Sequence, residues 1–208
     1  MPLQRLFKSP WTRAAWAVSA VLVAGLLGFN AWVPAGYHLV IASGGAAPAA
    51  SSAQAPDIFS VVNSPWLSRQ VLRLRGSRCD LPIFQQGVRV SGTGNALGMV
   101  VYLMGQKGTD QAYLAGLLAD LLTHCDPNTL GEGETLLPLP MAIVFKRPDV
   151  VAPLLAHGAR QDIPIVHPNE RIRGKTSTEL VDWMLANAKS DADKASVQAM
   201  RELLSSAK

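Results

Sequence analysis

Two short apolar runs joined by a turn do most to limit how this chain can fold. Leu137, Leu139, Met141, Ala142 and Phe145 fall at spacings that put several of them on one face of a short helix, and Val150, Val151, Leu154 and Leu155 do the same just afterwards. Neither run is long enough for a helix that persists alone in water, so each must bury its face against neighbours. Pro148 and Pro153 fall near the start of the second helix, where the first N–H groups have no intrahelical acceptor and little is lost by removing one. Gly158 follows the last apolar pair and can take the left-handed conformation that ends a helix.

The stretch Leu137-Pro138-Leu139-Pro140-Met141-Ala142, followed by a second helix ending Leu154-Leu155-Ala156-His157-Gly158-Ala159, resembles an ankyrin repeat, with its T-P-L-H-x-A opening and L-L-x-x-G-A close. The resemblance implies an all-α fold, a short solenoid of stacked ankyrin-like helix pairs, used for protein recognition rather than for chemistry. Two weaker copies flank the central one. Upstream, Asn95-Ala96-Leu97-Gly98-Met99-Val100 occupies the opening and residues 112–122 the second helix, with residues 105–110 as an insertion. Downstream, residues 174–181 resemble a terminal opening and residues 195–204 its second helix, although Thr178 stands where the family prefers Leu. A degenerate unit begins at Asp57, with Ser64-Pro65 starting a helix through Trp66, Leu67, Val71 and Leu74. Between these units, Ile83, Phe84, Val88 and Val90 around Gly87 suit either a short hairpin or an extended arm, and no sheet is built on them.

The amino-terminal quarter obeys a different rule. Residues 14–56 contain no Asp, Glu, Lys or Arg, and residues 14–34 are apolar enough, at about twenty residues, to cross a bilayer as a helix. Arg5, Lys8 and Arg13 precede this run; cytoplasmic flanks carry the excess of Lys and Arg, so the remainder of the chain is expected to be exported. A cleaved signal peptide shares this pattern. The candidate cleavage sites are poor, because Phe29 and Ala31 make no small-residue pair and Ala53-Gln54-Ala55 is followed by Pro56, so an uncleaved signal-anchor is preferred. Residues 35–56 have the Ala, Ser, Gly and Pro content of a flexible linker. The expected organisation is a basic cytoplasmic segment 1–13, a transmembrane anchor 14–34, a linker 35–56 and a repeat-like domain 57–208. At roughly 150 residues that domain can enclose a real core. A single-pass bacterial inner-membrane protein with a periplasmic domain is the expected setting.

The chain has two cysteines, Cys79 and Cys125. Each is followed by Asp after what read as the ends of second helices in adjacent units, positions that stacked repeats bring close. In an oxidising compartment they can pair, with a stabilisation of roughly 3–4 kcal/mol in the chain-entropy model; two unpaired small apolar residues are the alternative.

A search for chemistry returns little. The four histidines have no metal-binding spacing, and His124 and His157 occupy equivalent places near helix ends, where their charge suits the carboxyl terminus. Ser91-Gly92-Thr93-Gly94-Asn95-Ala96-Leu97-Gly98 misses the dinucleotide pattern because its third Gly comes one residue late and no strong strand precedes it. Gly105-Gln106-Lys107-Gly108-Thr109 lacks the phosphate-loop pattern. No serine elbow, paired-carboxylate motif or Cys/His signature occurs in an activating context. No cofactor, metal or catalytic residue is expected, and the chain reads as a binder rather than an enzyme.

Charge points to a partner. Arg69, Arg73, Arg75, Arg78 and Arg89 form one basic concentration, and Lys146, Arg147, Arg171, Arg173 and Lys175 a second, in a chain of formal net charge +4. For an exported domain, acidic protein surfaces or anionic lipid headgroups are the expected targets and nucleic acid is not. Ankyrin proteins bind through turn tips and a concave face, so the resemblance assigns residues 131–136, 146–149 and 171–177 to the contact surface. Lys146, Arg147, Asp149, Arg171, Arg173 and Lys175 are its candidate partner-binding residues. Small exported repeat proteins of this kind are similar to immunity proteins that neutralise a toxin in the periplasm. A scaffold or regulator of an envelope stress-response enzyme is the alternative, and a periplasmic hydrolase of helical fold a third.

Overall fold

The computed structural model describes residues 42–44, 65–75, 78–85, 88–131 and 134–207. The expected anchor 14–34 and most of the expected linker 35–56 lie outside the described residues. Among the described residues no helix is long and apolar enough to cross a membrane.

The described chain is mostly helical. In order it forms α1 (Pro65–Arg75), β1 (Asp80–Gln85), β2 (Val88–Asn95), α2 (Ala96–Met104), α3 (Gln111–Leu122), α4 (Pro138–Val144), α5 (Pro148–Ala156), α6 (Ser177–Ala186) and α7 (Asp191–Ser206). Helices α2 and α3, α4 and α5, and α6 and α7 pack as consecutive pairs. Across the pairs, α2 lies against α4, α4 against α6, and α5 against α7. The buried side chains follow the helical period: Leu114, Leu118, Leu121 and Leu122 on α3, Val150, Val151 and Leu154 on α5, and Val197, Met200 and Leu204 on α7 all join one core. At about 25 cal/mol per Å² of apolar surface, this shared burial is what sustains helices as short as α4 and α5.

Local chemistry starts and stops each helix. Asn95 caps α2 by accepting from Leu97 N at 2.8 Å, and Asp110 caps α3 by accepting from Tyr113 N at 3.0 Å. Thr176 and Glu179 form a reciprocal capping box on α6, and the Ser190 hydroxyl caps α7. Helices α4 and α5 use a proline in the first turn instead, Pro138 and Pro148. Pro153, expected in the permissive first turn, lies inside α5. There it forgoes a bond to the Asp149 carbonyl, and the helix nevertheless continues because Val150, Val151 and Leu154 are fully buried on either side of it. Gly158 ends α5 at φ 83°, with Ala159 N bonded to Leu154 O at 3.0 Å. At the end of α4 the equivalent left-handed position is filled by Lys146, at φ 56°, with Arg147 N bonded to Ala142 O at 3.0 Å. A non-glycine residue there is strained by about 1–2 kcal/mol. Two groups of α7 hold it in place, since the Lys146 ammonium pairs with Asp193 and Ser196 donates to the Lys146 carbonyl at 3.1 Å.

The segment left open between hairpin and arm is a hairpin: β1 and β2 pair antiparallel, Asp80 opposite Asn95 and Gln85 opposite Val88. The register is irregular between Pro82 and Phe84, where the proline has no N–H to give to the ladder. At its base Ala96 N donates to Cys79 O at 2.8 Å, and Cys79 and Cys125 stand at disulfide-bonding distance with Cα atoms 5.4 Å apart. Arg69 on α1 joins three further pieces. Its guanidinium donates to Ala42 O at 3.0 Å and to Asp110 at 2.6 Å, and it lies 4.3 Å over the Tyr113 ring. Asp110 N in turn donates to Ser43 O at 2.6 Å, so residues 42–44 of the expected linker are fastened to the domain.

Two glycines separate backbone freedom from close packing. A Cβ at Gly131 would come 2.5 Å from Asn95 N and 2.6 Å from the Glu134 carboxyl carbon, whereas one on Gly116, exposed in the middle of α3, would meet nothing within 4 Å. Gly131→Ala is expected to lower stability by about 1–3 kcal/mol through overpacking, and Gly116→Ala to raise it by about 0.4–1 kcal/mol by reducing unfolded-state entropy. Thermal unfolding followed by circular dichroism, with opposite signs for the two variants, checks both.

Candidate partner-binding surface

Each helix pair places its internal turn at one end and its connection to the next pair at the other. The internal turns are short, and the connections, residues 123–137 and 157–176, are long. The long loops are the larger exposed feature, and side chains fix their shape.

In the first loop, Asp126 accepts from Asn128 N at 2.9 Å. Asn128 then staples the two loops together: its amide donates to Gly158 O at 3.0 Å and its carbonyl accepts from Arg160 N at 2.7 Å. Glu134 folds back over the start of α2, accepting from Asn95 N and Gly131 N, each at 2.9 Å. A carboxylate at a helix amino terminus is favoured by the aligned peptide dipoles. The Asn95 amide reaches the Thr129 carbonyl. The segment Ser91–Gly98 is the end of β2 and the first turn of α2, and the position a phosphate would take at that helix start is filled by Glu134.

The second loop is a finger closed on itself. Ile165 N donates to Lys175 O and Gly174 N to Ile165 O, both at 2.9 Å, while buried Ile165 and Ile172 peg it to the core. Arg173 is spent inside the finger, donating to His167 O at 2.8 Å and Pro168 O at 2.7 Å.

Between the loops runs a groove of about 140 Å³ lined by Asn128, Leu130, Thr135, Leu137, Pro140, Ile163, Pro164, Ile165 and Val166. Leu130 is 39% exposed and Val166 68%, on loops whose backbones are tied down. An exposed apolar side chain held on a fixed backbone loses little entropy when covered, a property of recognition surfaces. None of the lining residues titrates near neutral pH, so the groove is suited to burying an apolar side chain and not to proton transfer. The described residues that could hold a metal, Cys79, His124 and Cys125, lie together at the cysteine pair.

The six charged residues expected to form the contact surface do not come together. Lys146, Arg147 and Asp149 flank the start of α5, while Arg171, Arg173 and Lys175 sit in the finger beyond its other end, a helix length of roughly 13 Å away. Four of the six have internal work. Lys146 is engaged by α7, and Arg173 by its own loop. Arg147, 21% exposed, reaches the Met104 carbonyl at the end of α2, donates to Gln111 at 2.8 Å, and forks onto Asp149 at 2.6 and 2.8 Å. A fixed cation at the carbonyl end of α2 is a helix-end cap and a brace between two pairs. Arg171 is exposed and remains a candidate contact at the finger tip; Lys175 is half-buried at its base. Sequence reasoning passed over Asn128, Leu130 and Val166. The Asp126-Pro127-Asn128 exit after α3 and a lone valine between Pro164 and Pro168 were the available signal.

The Arg147 hydrogen bonds hold the Asp149 carboxyl below its ordinary value of 3.8, against partial burial that pushes it up. Asp110 is likewise lowered, first by the Tyr113 backbone N–H and then by Arg69. A depressed folded value gives stability that is complete above the unfolded value near 3.8 and is lost as pH falls through the folded one. Acid unfolding below about pH 4 is therefore expected, with a shallower decline in Asp149→Asn, measured as melting temperature against pH. Arg147→Ala is expected to cost about 1.5–3 kcal/mol at pH 7, and Arg147→Lys to restore only part of this because it lacks the fork, as read from chemical denaturation.

Comparison of the chain with models of protein families, with curated proteins and with solved structures finds no match.

Proposed function

We propose that this protein is a tethered recognition module: an ankyrin-like stack of helix pairs, held at the outer face of a bacterial inner membrane by residues 14–34, that binds another protein through the groove between its long loops. The observation that carries this reading is the fixed, uncharged groove with Leu130 and Val166 standing exposed at its edges. Three successive helix pairs, with the first helices adjacent in the order α2, α4, α6 and with α5 against α7, support the repeat reading, since an array of two-helix units buries each unit's apolar face in this way. A toxin delivered into the same compartment is the partner class we favour, because occupying a toxin's surface asks for a rigid apolar anchor point and no chemistry. Arg171 at the finger tip favours an acidic rim on that partner.

The reading is tested by crosslinking in intact cells followed by capture through a carboxy-terminal tag. Val166→Asp places a charge on an exposed side chain and leaves the fold unchanged, so a partner recovered in stoichiometric amount with the wild-type chain is expected to fall by tenfold or more, a loss of about 1.4 kcal/mol per tenfold. Equal recovery with Val166→Asp and Leu130→Asp would remove the groove from the interface. Recovery of the chain alone would remove the recognition reading.

A further inference from the structure

Cys79, His124 and Cys125 each offer a ligand atom within 4.8 Å of the other two. They meet where the base of the hairpin abuts the exit of α3, and their backbones are positioned by bonds that do not involve sulfur: Ala96 N to Cys79 O and Cys125 N to Leu121 O, both at 2.8 Å. His124 is oriented as well. Thr123 gives its single hydroxyl proton to the Asp120 carbonyl at 2.7 Å, so in its 3.1 Å contact with His124 Nδ1 the ring nitrogen is the donor. Metal-bound histidines have this arrangement, one nitrogen on the ion and the other donating to an oriented acceptor. Two thiolates and an imidazole form a soft donor set that selects Zn²⁺ and similar cations over Mg²⁺ or Ca²⁺.

We propose that the reduced form of the Cys79–Cys125 pair is a metal site, in which both sulfurs and the His124 ring bind one thiophilic cation such as Zn²⁺ and solvent takes the fourth position. The proposal is independent of the groove. The site opens by exchange with an external dithiol, which attacks partly exposed Cys79 rather than Cys125, 5% exposed. The dithiol gives two electrons and two protons to the sulfur–sulfur bond and leaves as a cyclic disulfide; the two thiols formed lose their protons to solvent when the cation binds. The oxidised pair has no thiolate to offer, so occupancy reports the redox state of the compartment.

The test is a titration of the full chain in detergent with Co²⁺, a spectroscopic substitute for Zn²⁺, after phosphine reduction and in the oxidised form, with circular dichroism on the same samples. Expected are one Co²⁺ per reduced chain with a thiolate charge-transfer band, none per oxidised chain, an affinity lower by roughly 10–100-fold in Thr123→Val, and a larger loss in His124→Ala. Binding equal in both redox forms, no stoichiometric binding to the reduced chain, unchanged affinity in either variant, or loss of the helical signal on reduction would each overturn it.

Discussion

The architecture depends on helices that cannot exist one at a time. Helix α4 runs from Pro138 to Val144 and α5 from Pro148 to Ala156, and the second contains an internal proline. Nucleation cost alone would leave both unformed in isolation. They are formed because Leu139, Ile143, Val150, Val151 and Leu154 are almost wholly removed from water by neighbours on either side. Stability is thus a property of the sequence of pairs, and a defect in the central pair is felt by both of its neighbours.

The two ends of the helices are finished by different chemistry. At the short turns, charges brace one pair to another, Arg147 onto α2 and Lys146 onto α7. At the long loops, amides and one folded-back carboxylate do so: Asn95, Asn128, Glu134 and Gln161, the last donating to Leu204 O at 3.0 Å. The neutral amide bonds are insensitive to salt, whereas the Lys146–Asp193 brace and the Glu134 bonds weaken as their carboxylates protonate.

Helix existence and pairing were legible because apolar periodicity reports burial directly, and the stop at Gly158 because few residues other than glycine adopt φ 83°. The left-handed residue at the end of α4 was not legible. Lysine carries no local signal for that conformation, and what stabilises it comes from Asp193 and Ser196, far along the chain. The engagement of Arg147 is hidden for the same reason: an arginine looks available in sequence until its distant carbonyl and amide acceptors are known. The grouping of Cys79 with His124 and Cys125 carries no local signal, because Cys79 lies 46 positions before Cys125 and spacing rules register only residues close together. The cysteines, read in the sequence as either a pair or two unpaired residues, stand at disulfide-bonding distance.

The grip of Arg69 on the Ala42 carbonyl, backed by Asp110 and Ser43, gathers three stretches of the sequence at one point. Ala42 lies 27 positions before Arg69 and Asp110 41 positions after it, so replacing one side chain releases two contacts distant in sequence at once. This joint and the bonds that shape the groove share no residue, so the loss of one leaves the other in place.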